Sequence, residues 1–325
     1  MSAITGSDTY LGDQAHPLKS VSRATQLALS GYQILVGPGT YGGGITTAST
    51  GKAPQGLQVI ADPSGAQTGD QGHAGPVIID ATGTAEGFQL NNSPGSLIDG
   101  FTIINAADAG IVLKSNSNNF IIQNCIIHDN PGDGIRVQDS ASVLVFNNLV
   151  YSNGGNGIGI VGSKSGSPDV RVYSNTVYAN SGHGITIGTT AVASPNGCVC
   201  DNIIQSAGAA SSENIKVVTN PRSDLNFNSC GCNCNLVFPA TYNPSYVQGS
   251  HDFNGDAKFV SPPGDLHLQP TSPAIDRADP ATCALVGLSS SQASLLSQRT
   301  TTGTNAQPGL PDSGIPDLGF HFLTH

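Results

Sequence analysis

A small residue followed by an apolar one recurs six times along the middle of this chain, at nearly constant spacing. The steps are Gly87-Phe88, Gly110-Ile111, Gly134-Ile135, Gly157-Ile158, Gly184-Ile185 and the degenerate Asn214-Ile215, and successive steps lie 23, 24, 23, 27 and 30 residues apart. A fixed period in the low twenties means one supersecondary unit stacked on copies of itself. No single unit can bury its apolar face, so stability must come from its neighbours. Each unit repeats one grammar. A short alternating run such as Phe120-Ile121-Ile122-Gln123 is followed by a tight polar corner, then by a second run such as Ile126-Ile127, a Gly/Asn-rich corner and the Gly-Ile-x-Val/Ile stretch. Period-two alternation punctuated by Asn and Gly reads as strand and turn, and apolar spacing of the helical kind is absent here. Three short strands per unit, without a Leu-x-x-Leu-x-Leu frame, predict an all-β parallel β-helix.

Asparagines fall into columns under this alignment. Asn148, Asn175 and Asn202 share one slot, which Cys125 occupies one unit earlier, and Asn130, Asn153 and Asn180 share another. Asn tolerates the left-handed backbone of tight corners and bonds neighbouring main chain. Stacked amides satisfy one another as ladders, so these residues are assigned structural roles only. The coils are expected over residues 55–235, an N-terminal cap and first strand over 1–54, and a C-terminal capping segment over 236–325. Residues 19–30 carry a short helix with Val21, Ala24, Leu27 and Ala28 on one face, suited to plugging the open end of a solenoid. Residues 62–76 and 162–169 read as surface insertions, and a short Leu/Ser helix is expected near 285–297.

A formal net charge of −10 makes nonspecific nucleic-acid binding a poor reading. No apolar run approaches the length of a membrane span. The first ten residues lack the basic start and apolar stretch of a signal peptide, as the trimmed form of an exported protein would and as a cytoplasmic protein would. Six of the seven cysteines lie between Cys198 and Cys283, in Cys198-x-Cys200, Cys230-x-Cys232-x-Cys234 and Cys283. Strand residues two apart face one side, and adjacent coils lie within disulfide reach. Two or three bridges clamping the last coils are expected, implying an oxidising compartment. Free thiols are one rival reading and a zinc site the other, although Cys-x-Cys lacks the usual two-residue spacing.

Several stretches resemble a known group. Asp8–Gly44, "DTYLGDQAHPLKSVSRATQLALSGYQILVGPGTYGGG", resembles the N-terminal cap of secreted right-handed parallel β-helix proteins of the pectate-lyase-like superfamily. "DAKFVSPPGDLHLQPTSPAIDRADP" and "IPDLGFHF" resemble their closing segment. The resemblance implies a right-handed parallel β-helix, a secreted or extracellular location and a polysaccharide partner for a monomeric chain. It leaves lyase, uronate epimerase, polygalacturonase-like hydrolase and noncatalytic surface or carbohydrate-binding solenoid all open, since fold does not choose among activities.

The outward position of the Gly-Ile-x-Val stretch reads Gln89, Val112, Arg136, Gly159, Thr186 and Lys216. So mixed a column argues against an ice-binding face and suits a carbohydrate groove. "SGHGITIG", "PGDGIRV" and "ENIKVV" resemble polygalacturonase strands. Carried over, Asp133 matches a catalytic carboxylate, His183 the histidine and Lys216 a substrate-binding lysine. Gly155-Asn156 stands where the paired carboxylates belong, and inverting hydrolysis needs both an acid and a base. A polysaccharide lyase needs less: a base beside the acidic carbon of a uronate and something to neutralise its carboxylate. Stacking is expected to gather Arg136, Lys114, His128 and His183 at one end of a groove as catalytic candidates. Tyr151 and Tyr178 are expected to stack on sugar rings, and Asp133 to help hold substrate. Asp129, Asp133 and Asp139 are candidate Ca²⁺ ligands. A groove walled by the 62–76 and 162–169 loops would favour chemistry, and a flat face binding or scaffolding.

Overall fold

The computed structural model describes residues 1–47, 54–140, 142–161, 170–188, 197–206, 213–217, 234–241, 251–278, 288–295 and 317–321. The period is physical. Each of the first seven windings supplies one strand to each of three parallel sheets. The first sheet runs through seven strands, from Gln33–Val36 to Gly197–Cys200. The second has nine, from Gly39–Gly42 to Phe253–Asn254, and the third seven, from Ile45–Thr46 to Ile215–Val217. The fourth winding shows the plan, with strands Ile121–Gln123, Ile126–His128 and Asp133–Gln138. Ile122, Ile127 and Ile135 point inward and are fully buried, in one core continuous from Leu18 to Val237.

All six Gly-Ile steps stack in register. Phe88 pairs with Ile111, Ile111 with Ile135, Ile135 with Ile158, Ile158 with Ile185, and Ile185 with Ile215. The pairing of Ile45 with Phe88 adds a seventh step, Gly44-Ile45, hidden from the sequence period by the 62–76 insertion. The glycines from Gly87 to Gly184 are there for want of space. A Cβ on Gly87 would lie 2.6 Å from the Gly110 carbonyl oxygen and 2.7 Å from Ile103, and one on Gly184 would lie 2.7 Å from the Asn214 carbonyl oxygen. At the last step Asn214 takes the slot, and its amide donates to the Pro239 carbonyl at 2.7 Å.

The two asparagine columns are ladders at the corners. Asn148 Nδ2 donates to Asn175 Oδ1, Asn175 to Asn202 and Asn202 to Asn235, each at 3.0 Å, and Asn235 closes the column on Asp252 at 2.9 Å. The backbone N–H of Cys125 donates to Asn148 Oδ1 at 3.0 Å, taking up the column's first acceptor. On the next corner Asn130 donates to Asn153 and Asn153 to Asn180, both at 2.9 Å. The residue before each slot (Asn124, Asn147, Ser174, Asp201, Cys234; Asp129, Ser152, Ala179) has positive φ, turning the chain sharply between sheets. Amides that donate and accept suit such a buried column, since each unpaired polar group there would cost about 1–3 kcal/mol.

The expected cap helix is Val21–Leu27, with the Ser20 hydroxyl accepting from Arg23 N–H as N-cap. Its inner face differs from the expected one. Thr25 is buried and donates to the Thr46 carbonyl at 3.2 Å, whereas Leu27 is 43% exposed. The first strand of the third sheet offers the Thr46 carbonyl there, and the Thr25 hydroxyl meets it. A second helix, Ser290–Leu295, falls in the expected stretch.

The C-terminal segment runs back along the stack. Gly319 N–H donates to the Asp201 carbonyl, Phe320 N–H to Thr176 Oγ1 and His321 N–H to Asn147 Oδ1, one winding earlier each time. On the second sheet this segment forms an outer apolar cluster with Leu149, Tyr178, Ile203 and Leu236. On the first, Leu288 packs on Leu144, Phe146, Tyr173 and Cys198. The described part of the tail thus lies on two outer faces, and among the described residues no such cluster covers the third sheet.

Cys200 and Cys234 are buried thiols, which removes them from the expected bridges, and Cys230, Cys232 and Cys283 lie outside the described residues. Burial pushes the Cys125 thiol up to about 12, the reverse of what a nucleophile requires.

Candidate functional site

The third sheet aligns Gln89, Val112, Arg136, Gly159, Thr186 and Lys216 in one outward column, as the sequence period predicts. Strands one winding apart sit ~4.8 Å from each other, so Arg136 and Lys216, three windings apart, are separated by ~14 Å along the stack. Polar side chains fill that interval as one hydrogen-bonded strip.

At one end Arg136 is clamped. Its Nε donates to Asp133 Oδ2 at 2.8 Å, and its terminal nitrogen NH1 donates to both Asp108 oxygens at 3.0 and 2.9 Å. NH2 reaches the Asp108 carbonyl at 3.3 Å. Partial burial opposes the guanidinium charge, but the bonds and charges of Asp133 and Asp108 outweigh it and hold the pKa above the ordinary arginine value. Arg136 is therefore a fixed cation and has no capacity to act as a base.

Asn156 carries the strip onward. Asp133 Oδ1 accepts from Asn156 N–H at 2.8 Å and from Asn156 Nδ2 at 3.2 Å. Asn156 Oδ1 in turn accepts from His183 N–H at 3.0 Å and Thr186 Oγ1 at 3.3 Å. His183 Nδ1 faces the Glu213 carbonyl oxygen at 3.0 Å and Glu213 Oε2 at 3.4 Å, while Nε2 lies 3.1 Å from Lys216 Nζ. Two acceptors on one side and an ammonium on the other assign the neutral imidazole with its proton on Nδ1. Lys216 and Glu213 complete the end at 3.9 Å, and the His183 and Lys216 side chains retain 19% and 34% exposure.

Other expected site residues go elsewhere. Lys114 lies on the third sheet but turns back to Glu86 at 3.5 Å and Gln89 at 3.3 Å, away from Arg136. His128, Tyr151 and Tyr178 form one column of the second sheet. A corner separates them from Arg136 and His183, so the expected four-residue cluster does not form. The His128 ring stacks on Tyr151 at 4.7 Å and bonds Asp129 at 2.7 Å. Tyr178 is buried under Phe259, so it offers no sugar platform. The calcium triad also separates. Asp133 opens the strand Asp133–Gln138 and Asp139 follows it, ~20 Å along an extended chain. Asp129 sits on the preceding corner, and among the described residues no three acidic, His or Cys side chains converge as metal ligands. The residues present do not fit a calcium ion at this strip.

The 62–76 insertion walls a different cleft of about 620 Å³ on the second face, lined by Pro63, Ala74, Thr102, Ile126 and Phe320. The 162–169 loop lies outside the described residues. Sequence reasoning missed Asp108 and Glu213 as site members. Asp108 immediately precedes the third-sheet strand one winding before Arg136, and Glu213 immediately precedes the Asn214-Ile215 step. The alignment that placed Arg136 and Lys216 could have found both.

Residues 74–167 match the family model described as the right handed beta helix region. No curated protein sequence matches the chain. Among solved structures the chain is similar to the pectate lyase Pel9A, with 17% identity, a TM-score of 0.49, and coverage of 98% of this chain and 94% of that one. It is also similar to a rhamnogalacturonan lyase, with 13% identity, a TM-score of 0.40, and coverage of 63% and 67%. A third similarity is to the periplasmic alginate epimerase AlgG, with 15% identity, a TM-score of 0.34, and coverage of 58% of this chain and 50% of the epimerase. The right handed beta helix match over residues 74–167 and the three stacked parallel sheets give the chain a right-handed parallel β-helix fold, as its sequence leads one to expect.

Proposed function

We propose that the open third face binds an acidic, uronate-containing polysaccharide and cleaves it by β-elimination at the His183–Lys216 end. The observation that carries this reading is the His183–Lys216–Glu213 group, a partly exposed imidazole, ammonium and carboxylate on the outer face that the described part of the tail leaves open. Lys216 is the substrate-carboxylate partner. When an incoming carboxylate draws its ammonium away, His183 Nε2 is bared as a base beside the acidic carbon. That carbon's proton moves to Nε2, its electron pair forms the new carbon–carbon double bond, and the glycosidic oxygen leaves and is protonated by solvent. Glu213, against Nδ1–H, stabilises the imidazolium so formed. Arg136 supplies a fixed positive charge further along the strip.

A noncatalytic carbohydrate-binding solenoid is the second reading. It is favoured by the strip's three carboxylates, Asp108, Asp133 and Glu213, against two cations, Arg136 and Lys216, a balance that weakens polyanion binding. The test is incubation with pectate, alginate and glycosaminoglycans, with and without Ca²⁺, following the ultraviolet absorbance of an unsaturated uronate. Product is expected from the wild type, with His183→Ala slowed by roughly 10²–10⁴-fold at little cost in binding. A flat trace across the panel removes the lyase reading, and glycan binding without turnover establishes the second. Export, Cys198-containing bridges in the last windings and a monomeric state belong to the same proposal. Mass analysis of the non-reduced protein and its hydrodynamic size test them.

A further inference from the structure

The strip has a single joint. Asp133 and Arg136 belong to the fourth winding, His183 and Thr186 to the sixth, and among the described residues the side chain that links them is Asn156 on the fifth. Its chemistry fits both neighbours. Toward Asp133, where only acceptors are offered, Asn156 presents N–H and Nδ2 donors. Toward His183 N–H and the Thr186 hydroxyl, where donors arrive, it presents Oδ1. A carboxylate here would confront Asp133 Oδ1 at the 3.2 Å now spanned by the amide donor. An alanine would keep only the backbone N–H bond to Asp133 Oδ1 and would leave the His183 N–H and the Thr186 hydroxyl without their acceptor.

We propose that Asn156 is a positioning residue that couples the Arg136–Asp133 clamp to His183 and so holds the imidazole in register with Lys216 and Glu213. The inference rests on reading the third face as an acidic-glycan site. It adds that the amide, through its mixed donor and acceptor sides, sets the geometry of the proposed base two windings from the fixed cation. Glycine flanks Asn156 on both sides, and Gly155 cannot be enlarged, since a Cβ there would lie 2.8 Å from Asp133 N. The backbone is thereby pressed against Asp133, and Asn156 is left as the side chain that bridges.

The experiment compares wild type, Asn156→Asp and Asn156→Ala by following the His183 imidazole NMR signals against pH without ligand, and by binding pectate oligosaccharide. Two carboxylates at this spacing share one proton until the pH rises well above the ordinary carboxylate range. The Asn156→Asp variant therefore regains a donor in acid. Its His183 signals and pectate affinity are expected to match wild type at low pH and to depart through a second titration step above it, with affinity about tenfold weaker on the alkaline side. Asn156→Ala is expected to be weakened by a similar factor at every pH, with no added step. A purely structural Asn156 would give two variants that differ in stability but share the wild-type His183 titration, and that result overturns the proposal. Should the variants fail to fold, the wild-type Asn156 side-chain amide signals suffice. They are expected to shift with the His183 midpoint, and their indifference to it overturns the proposal equally. Failure of wild type to bind pectate, alginate and glycosaminoglycans alike would refute the glycan reading while leaving the His183 titration as a separate test of Asn156.

Discussion

Gly157 sits at the corner just before the strand Ile158–Val161 and Gly159 lies within it, neither has positive φ, and alanine should act on them oppositely. A Cβ on Gly157 points inward, 2.7 Å from the Gly184 carbonyl oxygen and 2.9 Å from Asn180 Nδ2, with Val177 closer still. Restoring ordinary contact means prising the two windings apart by ~0.6 Å where their spacing is ~4.8 Å. The Ile158 N–H to Gly184 carbonyl bond, now 2.9 Å, would then stretch to the edge of useful geometry. Overpacking with weakened ladder bonds costs about 3 kcal/mol. On Gly159 the same Cβ points outward, and its nearest neighbour is Asp133 Oδ2 at 3.6 Å, an ordinary contact. Gly159→Ala should be neutral or stabilise by about 0.5 kcal/mol through the unfolded chain. Thermal and urea unfolding should place Gly157→Ala roughly 6–12 °C below wild type and Gly159→Ala within a degree or two. Equal midpoints for the two variants would refute the steric account of the glycine column.

Three further outcomes follow from the same packing. Asn175→Ala should cost about 4 kcal/mol in chemical denaturation, because it strands Asn148, the Val145 and Tyr173 carbonyls and Asn202 in a buried column; a cost under about 1 kcal/mol would mean the ladder is not cooperative. At Asp62, burial pushes the carboxyl up, but the bonds from Ser64, Thr68 and Gln67 outweigh it and hold the pKa below the usual value. A depressed native value adds stability that is complete above the ordinary carboxylate range and is lost as pH falls through it. Asp62→Asn should therefore cost roughly 2 kcal/mol at neutral pH and nothing in acid, and a pH-independent difference would contradict the assignment. Cys125, with its thiol pushed up to about 12 by burial, should resist alkylation at mildly alkaline pH until the protein is unfolded, as peptide mapping can show.

Periodicity alone carried much of this protein. Stacking at a fixed period is a nearest-neighbour property, so the Gly-Ile column, both asparagine ladders and the outward row from Gln89 to Lys216 could be read from spacing. The first winding escaped because the 62–76 insertion nearly doubles its distance to Gly87, and the Thr25 face of the cap helix because its partner is a backbone carbonyl, which has no sequence signature.

Sequence by itself determined which residues share a column, since a period fixes lateral neighbours. It did not determine which columns share a face or which faces stay open. His128 and Arg136 are eight residues apart, yet a corner turns them to different sheets, and Tyr178 lies beneath Phe259, 81 residues away. That burial depends on a nonrepeating tail folding back over two sheets, through contacts no local pattern encodes. Only the tertiary structure could therefore single out the third face and join Asp108, Arg136, Asp133, Asn156, His183 and Lys216 into one strip.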